Sequence, residues 1–415
     1  MNIERVSVVG LGYIGLPTAA VIASRGIEVV GVDVVPSVVD TINKGEIHIV
    51  EPELDVAVRS AVTSEKLTAF TEPQPADAFL VAVPTPFKGD YQPDLAYIEE
   101  AGRAVARVLE PGNTIILEST SPVGATEQMC KWMAEERPDL TFPHTHGEGS
   151  SIRVAHCPER VLPGQVLREL VENDRVIGGM TDACSRAASV VYASFVKGEL
   201  VRTDVRTAEM CKLVENSFRD VNIAFANELS MICDQHGIDV WELITLANRH
   251  PRVEILQPGT GVGGHCIAVD PWFIVSQNPD VAQLIRTARE VNERKPDWCV
   301  ERIKQKLNGA DRPVVACLGL AFKPNVDDLR ESPALRVVEA LANESVAEIL
   351  VVEPHTDSLP PSLAQKENVA LAEFDLAVEK ADLTVSLVRH DALSSGLSQR
   401  GVHAGKYLDF VNLLQ

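Results

Sequence analysis

The chain has 415 residues, 45% of them hydrophobic, and its 38 basic against 59 acidic side chains leave a formal charge of −21. That length is enough for two or three domains with ample core, and the acidic excess argues against nucleic acid or an anionic membrane as the main partner, because both are polyanions. Mean hydropathy is near zero and no run of 18 apolar residues occurs, so a soluble globular protein without a membrane span is expected.

The first elements are a short buried strand over residues 3–10, a glycine-rich turn, and a helix to about Arg25 that Gly26 ends, as glycine commonly does just past a helix. Residues 27–33 form a second β-branched strand. Strand, helix and strand in so short a span make a βαβ unit, which requires a parallel sheet. Residues 78–83, stopped by Pro84 and Pro86, and residues 114–119 are further apolar strands, so the first domain is doubly wound α/β. The polar stretch 144–151 is expected to be a surface loop.

From about 206 to 236, Met210, Leu213, Val214, Phe218, Val221, Ala224, Phe225, Leu229 and Ile232 recur at helical spacing, without proline, up to Gly237. A helix this long exceeds the usual globular length. It can join two domains and form a dimer seam. A third region begins near Arg312. Residues 313–319 resemble the first strand, 348–353 the second with Glu353 in the place of Asp33, and 381–388 echo 76–83. We read a degenerate second copy of the first fold; the alternative is that any two parallel α/β domains look this alike.

Gly10-Leu11-Gly12-Tyr13-Ile14-Gly15 is a G-x-G-x-x-G between a strand and a helix, with Asp33 at the end of the next strand, which is the context of a dinucleotide site. Gly10 permits the tight turn, Gly12 lets backbone approach a pyrophosphate, and Gly15 allows close helix–strand packing. The helix N-terminus offers free N–H groups to phosphate. Asp33 would accept from a ribose 2′-OH and repel a 2′-phosphate, and residues 34–38 contain no Arg, so NAD is expected rather than NADP.

Eight cysteines are dispersed without a CxxC pair, which reads as reduced thiols of a cytoplasmic protein, mostly buried. The apolar residues 14–23 lack the flanks of a secretion signal. Cys266 stands apart, behind Gly259, Gly261, Gly263 and Gly264 and four residues ahead of Asp270. Glycine-rich backbone can present amides to a thiolate or phosphate, and a thiolate is a strong nucleophile towards aldehydes. His265 is expected in a structural or substrate-contact role. Lys212 and Asn216, four apart, share one face of the long helix. Asn248-Arg249-His250-Pro251-Arg252 offers two guanidiniums suited to phosphate.

These residues, with Val83-Pro84-Thr85-Pro86, Glu118-Ser119-Thr120, Pro158-Glu159-Arg160-Val161-Leu162-Pro163-Gly164, Ala208-Glu209-Met210-Cys211-Lys212 and Gly319-Leu320-Ala321-Phe322-Lys323-Pro324 ahead of Asp327-Asp328-Leu329-Arg330, closely resemble the UDP-glucose/GDP-mannose dehydrogenase family over the whole chain. The resemblance implies two Rossmann-like doubly wound domains, 1–200 for NAD and 306–415 for a nucleotide sugar, joined by a central helical and dimerisation domain, 201–305, with a long helix and the cysteine loop. It implies NAD-dependent four-electron oxidation of a sugar C6 alcohol to a carboxylate. Cys266 would attack the intermediate aldehyde and pass through a thiohemiacetal and a thioester. Lys212 and Asn216 would stabilise oxyanion charge, Asp270 and Thr120 would hold and activate a water, and Glu159 would act in thioester hydrolysis. The first-step base is open between Lys212 and a water held by Asp270. Tyr13, Ile14, Pro84, Thr85, Thr120 and Arg330 would join Gly10, Gly12, Gly15 and Asp33 at the cofactor. Glu159, Arg160, Val161, Lys212, Asn216, Arg249, His250, Arg252, Gly263 and Lys323 would contact substrate, and no metal is implied. Pro163 stands where relatives acting on UDP-glucose typically carry a second glutamate, as in the branch that oxidises UDP-N-acetylhexosamines. The expected substrate is therefore UDP-N-acetyl-D-mannosamine, with UDP-N-acetyl-D-glucosamine, or a two-electron β-hydroxyacid reaction, as alternatives. A homodimer is expected.

Overall fold

The computed structural model describes residues 3–89, 91–162, 164–307, 309–400 and 406–414, so Pro163 lies outside the described residues. The chain divides into two compact units, one up to Val214 and one from Glu215.

In the first unit the apolar runs become β1 (Arg5–Val9), β2 (Glu28–Val32), β3 (Leu67–Phe70), β4 (Ala78–Val81), then a separate hairpin of β5 (Phe87–Lys88) and β6 (Gln92–Pro93), then β7 (Thr114–Leu117), β8 (Arg153–His156), β9 (Arg175–Gly179) and β10 (Leu200–Asp204). Eight of them form one sheet in the order β10-β9-β8-β7-β4-β1-β2-β3. β1 lies parallel between β2 and β4. The sheet is not parallel throughout: β8 and β9 pair antiparallel, and β10 follows β9. Alternate side chains point to opposite faces. Val6, Val8, Leu80 and Ile116 enter one core with the helix Gly15–Ala23, while Val9, Phe79, Val81, Ile115 and Leu117 enter another with Ile98, Val105 and Met129. Burial on both faces explains why these strands read as unbroken apolar runs.

The stretch 144–151 is not the loop expected. Pro143 opens a short helix, Pro143–His146, and a 3-10 turn covers Gly147–Gly149. Glu148 explains the order, because its carboxylate accepts from the N–H groups of Asp182 and Ala183 at the start of the helix Asp182–Ala193.

The second unit holds a parallel sheet of β11 (Val314–Leu318), β12 (Glu348–Val352), β13 (Val369–Leu371), β14 (Leu383–Ser386) and β15 (Tyr407–Asp409), ordered β13-β12-β11-β14-β15. The turn after β11 repeats three backbone hydrogen bonds of the turn after β1. Gly10 has φ 91° and Gly319 φ 95°, a conformation glycine adopts at no steric cost. Their N–H groups donate to Val32 O and Val352 O, each at 2.8 Å. The next N–H donates to the acid, Leu11 to Asp33 and Leu320 to Glu353, and the other carboxylate oxygen accepts from Val35 N or His355 N. The third region is a second copy of the first fold.

The long helix is continuous over Val205–His236, and Gly237 ends it with φ 66°. The helix Gln283–Leu307 meets it through a buried polar network: Arg289 pairs with Asp220 at 2.7 Å, and Asn292 donates to Asp220 and accepts from Asn227. No helix among the described residues is long and apolar enough to cross a membrane. Asp239 caps the helix Val240–Ala247, accepting from the N–H groups of Trp241 and Glu242. Asp239→Ala is expected to cost about 1 kcal/mol in urea unfolding, and an unchanged midpoint would rule out that capping role.

Candidate active site

The glycine turn divides its tasks as the chemistry requires. A Cβ on Gly10 would come within 2.6 Å of Ala82 O, and one on Gly15 within 1.8 Å of Gly10 O, so the fold itself excludes larger residues there. A Cβ on Gly12 would meet nothing within 4 Å. Nothing inside the protein explains that glycine, whereas a pyrophosphate lying on the backbone does. The following helix has no side-chain cap, which leaves its first N–H groups for an anion. Tyr13 is exposed and Ile14 half-buried beside it. Asp33 holds two backbone donors, from Leu11 at 3.1 Å and Val35 at 3.0 Å, which leaves carboxylate lone pairs for a ribose hydroxyl. Thr85 follows the exposed Pro84 and has a buried Oγ1 without a hydrogen-bond partner. Ser119 ties the ends of β4 and β7 together through Val83 O at 2.7 Å, and half-buried Thr120 follows it. These groups stand past the C-terminal ends of β1, β4 and β7, where open α/β sheets bind ligands. The residues fit NAD. Gly12→Ala is expected to keep its melting temperature while NAD affinity falls about tenfold or more through lost backbone approach; unchanged affinity in a fluorescence titration would remove Gly12 from the site.

Cys266 is half-buried, and six of the other cysteines are buried, Cys211 being the second half-buried one. Burial pushes the thiols of Cys130, Cys157, Cys299 and Cys317 up to about 12, which leaves them inert. Cys266 sits one turn ahead of the helix Asp270–Gln277, its carbonyl accepting from Val269 N at 3.0 Å and Asp270 N at 2.8 Å. Asp270 is buried, and its Oδ2 accepts from Asn216 Nδ2 at 2.5 Å. The Asp270 carboxylate thus holds the Asn216 amide one turn past Cys266. Lys212 is half-buried one turn ahead of Asn216 on the long helix.

The glycine loop works differently from the sequence expectation. A Cβ on Gly263 would come within 2.4 Å of Glu331 O and 2.8 Å of Pro333 Cδ, and the N–H of Gly264 donates to Arg330 O at 3.0 Å. At these two positions glycine serves close packing against the segment after Phe322 rather than display of amides to a thiolate. His265 is exposed. Asp328 orients Arg330 through Nε at 3.0 Å and Nη2 at 2.6 Å. Burial disfavours the Asp328 charge, but the Arg330 hydrogen bonds outweigh it and hold the carboxyl below its usual range. Arg249, His250 and Arg252 are exposed, and neither arginine has an ion-pair partner among the described residues. Lys323 is half-buried, its Nζ 5.6 Å from the centre of the Phe322 ring.

Glu159 is buried and both its oxygens are engaged, Oε2 by Arg175 at 2.7 Å and Oε1 by Arg160 N at 2.6 Å. Half-buried Val161 follows. Arg175 and Tyr192 belong to none of the motifs in the sequence, although their partners Glu159 and Glu118 do. Tyr192 donates to Glu118 Oε1 at 2.6 Å, and Glu118 Oε2 is buried without a partner. Burial, reinforced by the nearby Glu159 charge, raises the Glu118 carboxyl to about 7. The signal was present in the arginine that opens the apolar run of β9, since a charge seldom enters a buried strand unless paired.

Comparison with known proteins matches three family models in order: the NAD binding domain of the UDP-glucose/GDP-mannose dehydrogenase family over residues 4–196, its central domain over 206–294 and its UDP binding domain over 316–415. The chain is 63% identical over 390 residues to an NDP-N-acetyl-D-galactosaminuronic acid dehydrogenase of Ralstonia nicotianae, covering 94% of this chain and 92% of that one. It is 63% identical over 388 residues to a UDP-N-acetyl-D-mannosamine dehydrogenase of Campylobacter jejuni, covering 93% and 95%. The structure of a UDP-D-ManNAc dehydrogenase from Pyrococcus horikoshii superposes with a TM-score of 0.86 at 38% identity, over 99% of this chain and 96% of that one. The chain belongs to the UDP-glucose/GDP-mannose dehydrogenase family.

Proposed function

We propose that this protein is an NAD-dependent UDP-sugar 6-dehydrogenase that oxidises the C6 alcohol of UDP-N-acetyl-D-mannosamine to the uronate. The observation that carries the reading is the hydrogen bond from Asn216 to Asp270, whose own N–H is bonded to Cys266 O. Bound NAD supplies the hydride acceptor in each of two oxidations. Asn216 and Lys212 hold negative charge on the sugar oxygen. Asp270, already ordering the Asn216 amide, takes the hydroxyl proton through a water. Cys266 Sγ bonds to C6 of the aldehyde and the carbonyl electron pair moves to oxygen. The second oxidation leaves a thioester, and water releases the acid and returns the thiolate. One alcohol and one water thus yield a carboxylate, four electrons leaving as two hydrides. Thr120 and Glu159 are assigned to the hydrolytic step, Glu159 as a carboxylate held in place by Arg175.

In this reading residues 1–200 serve NAD, 306–415 the nucleotide sugar and 201–305 the cysteine loop and dimerisation. Phe218, Phe225 and Ile232 are 69%, 52% and 44% exposed along one stripe of the long helix, more apolar surface than a solvated face needs, and this supports a homodimer. A cytoplasmic location suits the cysteines, none of which forms a disulfide among the described residues. The names of the relatives support an N-acetylhexosamine. The test is incubation with NAD and each UDP-sugar separately, following NADH and product mass. Two NADH per UDP-N-acetyl-D-mannosamine is the expected result; one per sugar overturns the chemistry, and turnover of UDP-glucose alone overturns the substrate.

A further inference from the structure

The two copies of the fold differ at the two positions that face a ligand in the first. Asp33 carries two donors and keeps lone pairs free, whereas Glu353 carries four: Leu320 N at 2.7 Å, Ala321 N at 3.1 Å, His355 N at 3.1 Å and His390 Nε2 at 3.2 Å. Val81 of β4 and Ser386 of β14 hold matching register positions, paired with Val9 and Leu318. Four residues further along stand Thr85 and His390. Thr85 Oγ1 has no partner, but His390 is fully buried with both ring nitrogens used. Its Nδ1 accepts from Asn325 N at 3.0 Å, so Nε2 bears the proton and donates to Glu353. Asn325 has φ 59°, which asparagine tolerates better than most residues. Its side chain clamps Asp391 reciprocally, donating to Oδ2 at 2.8 Å and accepting from Asp391 N at 3.0 Å. The segment between these anchors, Leu320 to Asn325, carries Lys323.

We propose that Glu353, His390 and Asn325 are positioning residues that hold the Lys323 loop for the nucleotide sugar, the ribose-reading acid of the first copy having become a loop anchor in the second. The proposal rests on the assignment of Lys323 to substrate. It follows that the second copy does not read a ribose through its acid, because the Glu353 side chain is wholly buried, with three donors on Oε2 and His355 N on Oε1.

The test is steady-state kinetics on His390→Gln, His390→Asn, Asp391→Ala, Lys323→Ala and the Lys323→Ala/His390→Gln double variant. Glutamine keeps a donor for Glu353 but no acceptor for Asn325, and asparagine keeps the acceptor. His390→Gln is expected to raise KM for the UDP-sugar about tenfold with KM for NAD within about twofold, the scale of one hydrogen bond. His390→Asn should recover most of that loss, and the double variant should be no worse than Lys323→Ala, the non-additivity of residues acting as one unit. Asp391 is exposed, so Asp391→Ala reports on the anchor even if the His390 variants fold poorly; a KM raised about threefold is expected. An unchanged KM in His390→Gln or in Asp391→Ala, or additive losses in the double variant, overturns the proposal. If Lys323→Ala itself leaves KM unchanged, the substrate assignment of Lys323 fails, and the positioning role with it.

Discussion

Cys266→Ser is expected to lower uronate formation by at least about 10³-fold, or about 4 kcal/mol of transition-state stabilisation. A serine hydroxyl at that place is a far weaker nucleophile than a thiolate, and an oxygen ester in place of the thioester hydrolyses less readily. The fold should tolerate the change, because Cys266 is half-buried and its backbone carbonyl accepts from Val269 and Asp270 in either variant. The same substitution at Cys299 or Cys317, which are fully buried, would act through packing instead and leave the ratio of NADH to product untouched. Uronate appearing at an undiminished rate in the Cys266→Ser enzyme would show that the aldehyde is oxidised without a covalent step.

How far the chain could be read in advance follows from the range over which each signal acts. Strands and the turn at Gly10 were legible because continuous apolar runs and glycine spacing act locally. The long helix was legible over almost its full length, since periodicity without proline, closed by Gly237, leaves no other element to compete. The reversal of β9 was not, because strand direction depends on what each strand pairs with and not on its own composition. The site divides in the same way. Asn216 and Asp270 were both named from motifs, but only folding shows the hydrogen bond between them. The glycines at 263 and 264 were read as a cradle, and the atoms a Cβ would meet belong to Glu331, Pro333 and Phe322, dozens of residues downstream. Arg175 went unread because its partners Glu159 and Leu170 are reached through the fold.

The cluster around Arg175 carries the second large effect. Glu118 is buried against Tyr192, Glu159, Arg175 and Cys157, with its carboxyl raised from 4.5 to about 7, first by burial and then by the Glu159 charge, against the Tyr192 hydrogen bond and the Arg175 charge. For an acid raised in the native state, the folded protein keeps a proton that the unfolded chain has lost. Stability contributed by this group is therefore greatest below the unfolded value and falls as pH rises through the window from 4.5 to about 7. The shift amounts to about 3 kcal/mol at 1.36 kcal/mol per pKa unit. Glu118→Gln keeps the acceptor for Tyr192 and cannot ionise. The stability of the variant relative to the wild type should thus rise by about 3 kcal/mol between pH 4.5 and pH 7.5, whatever constant difference the amide itself introduces. Urea unfolding of both proteins at the two pH values measures this directly. A difference that stays flat across the window would mean that Glu118 is ionised throughout and that Arg175 neutralises it together with Glu159. A rising difference would mean that burial governs Glu118 and that the Arg175 guanidinium, 2.7 Å from Glu159 Oε2, serves that neighbour instead.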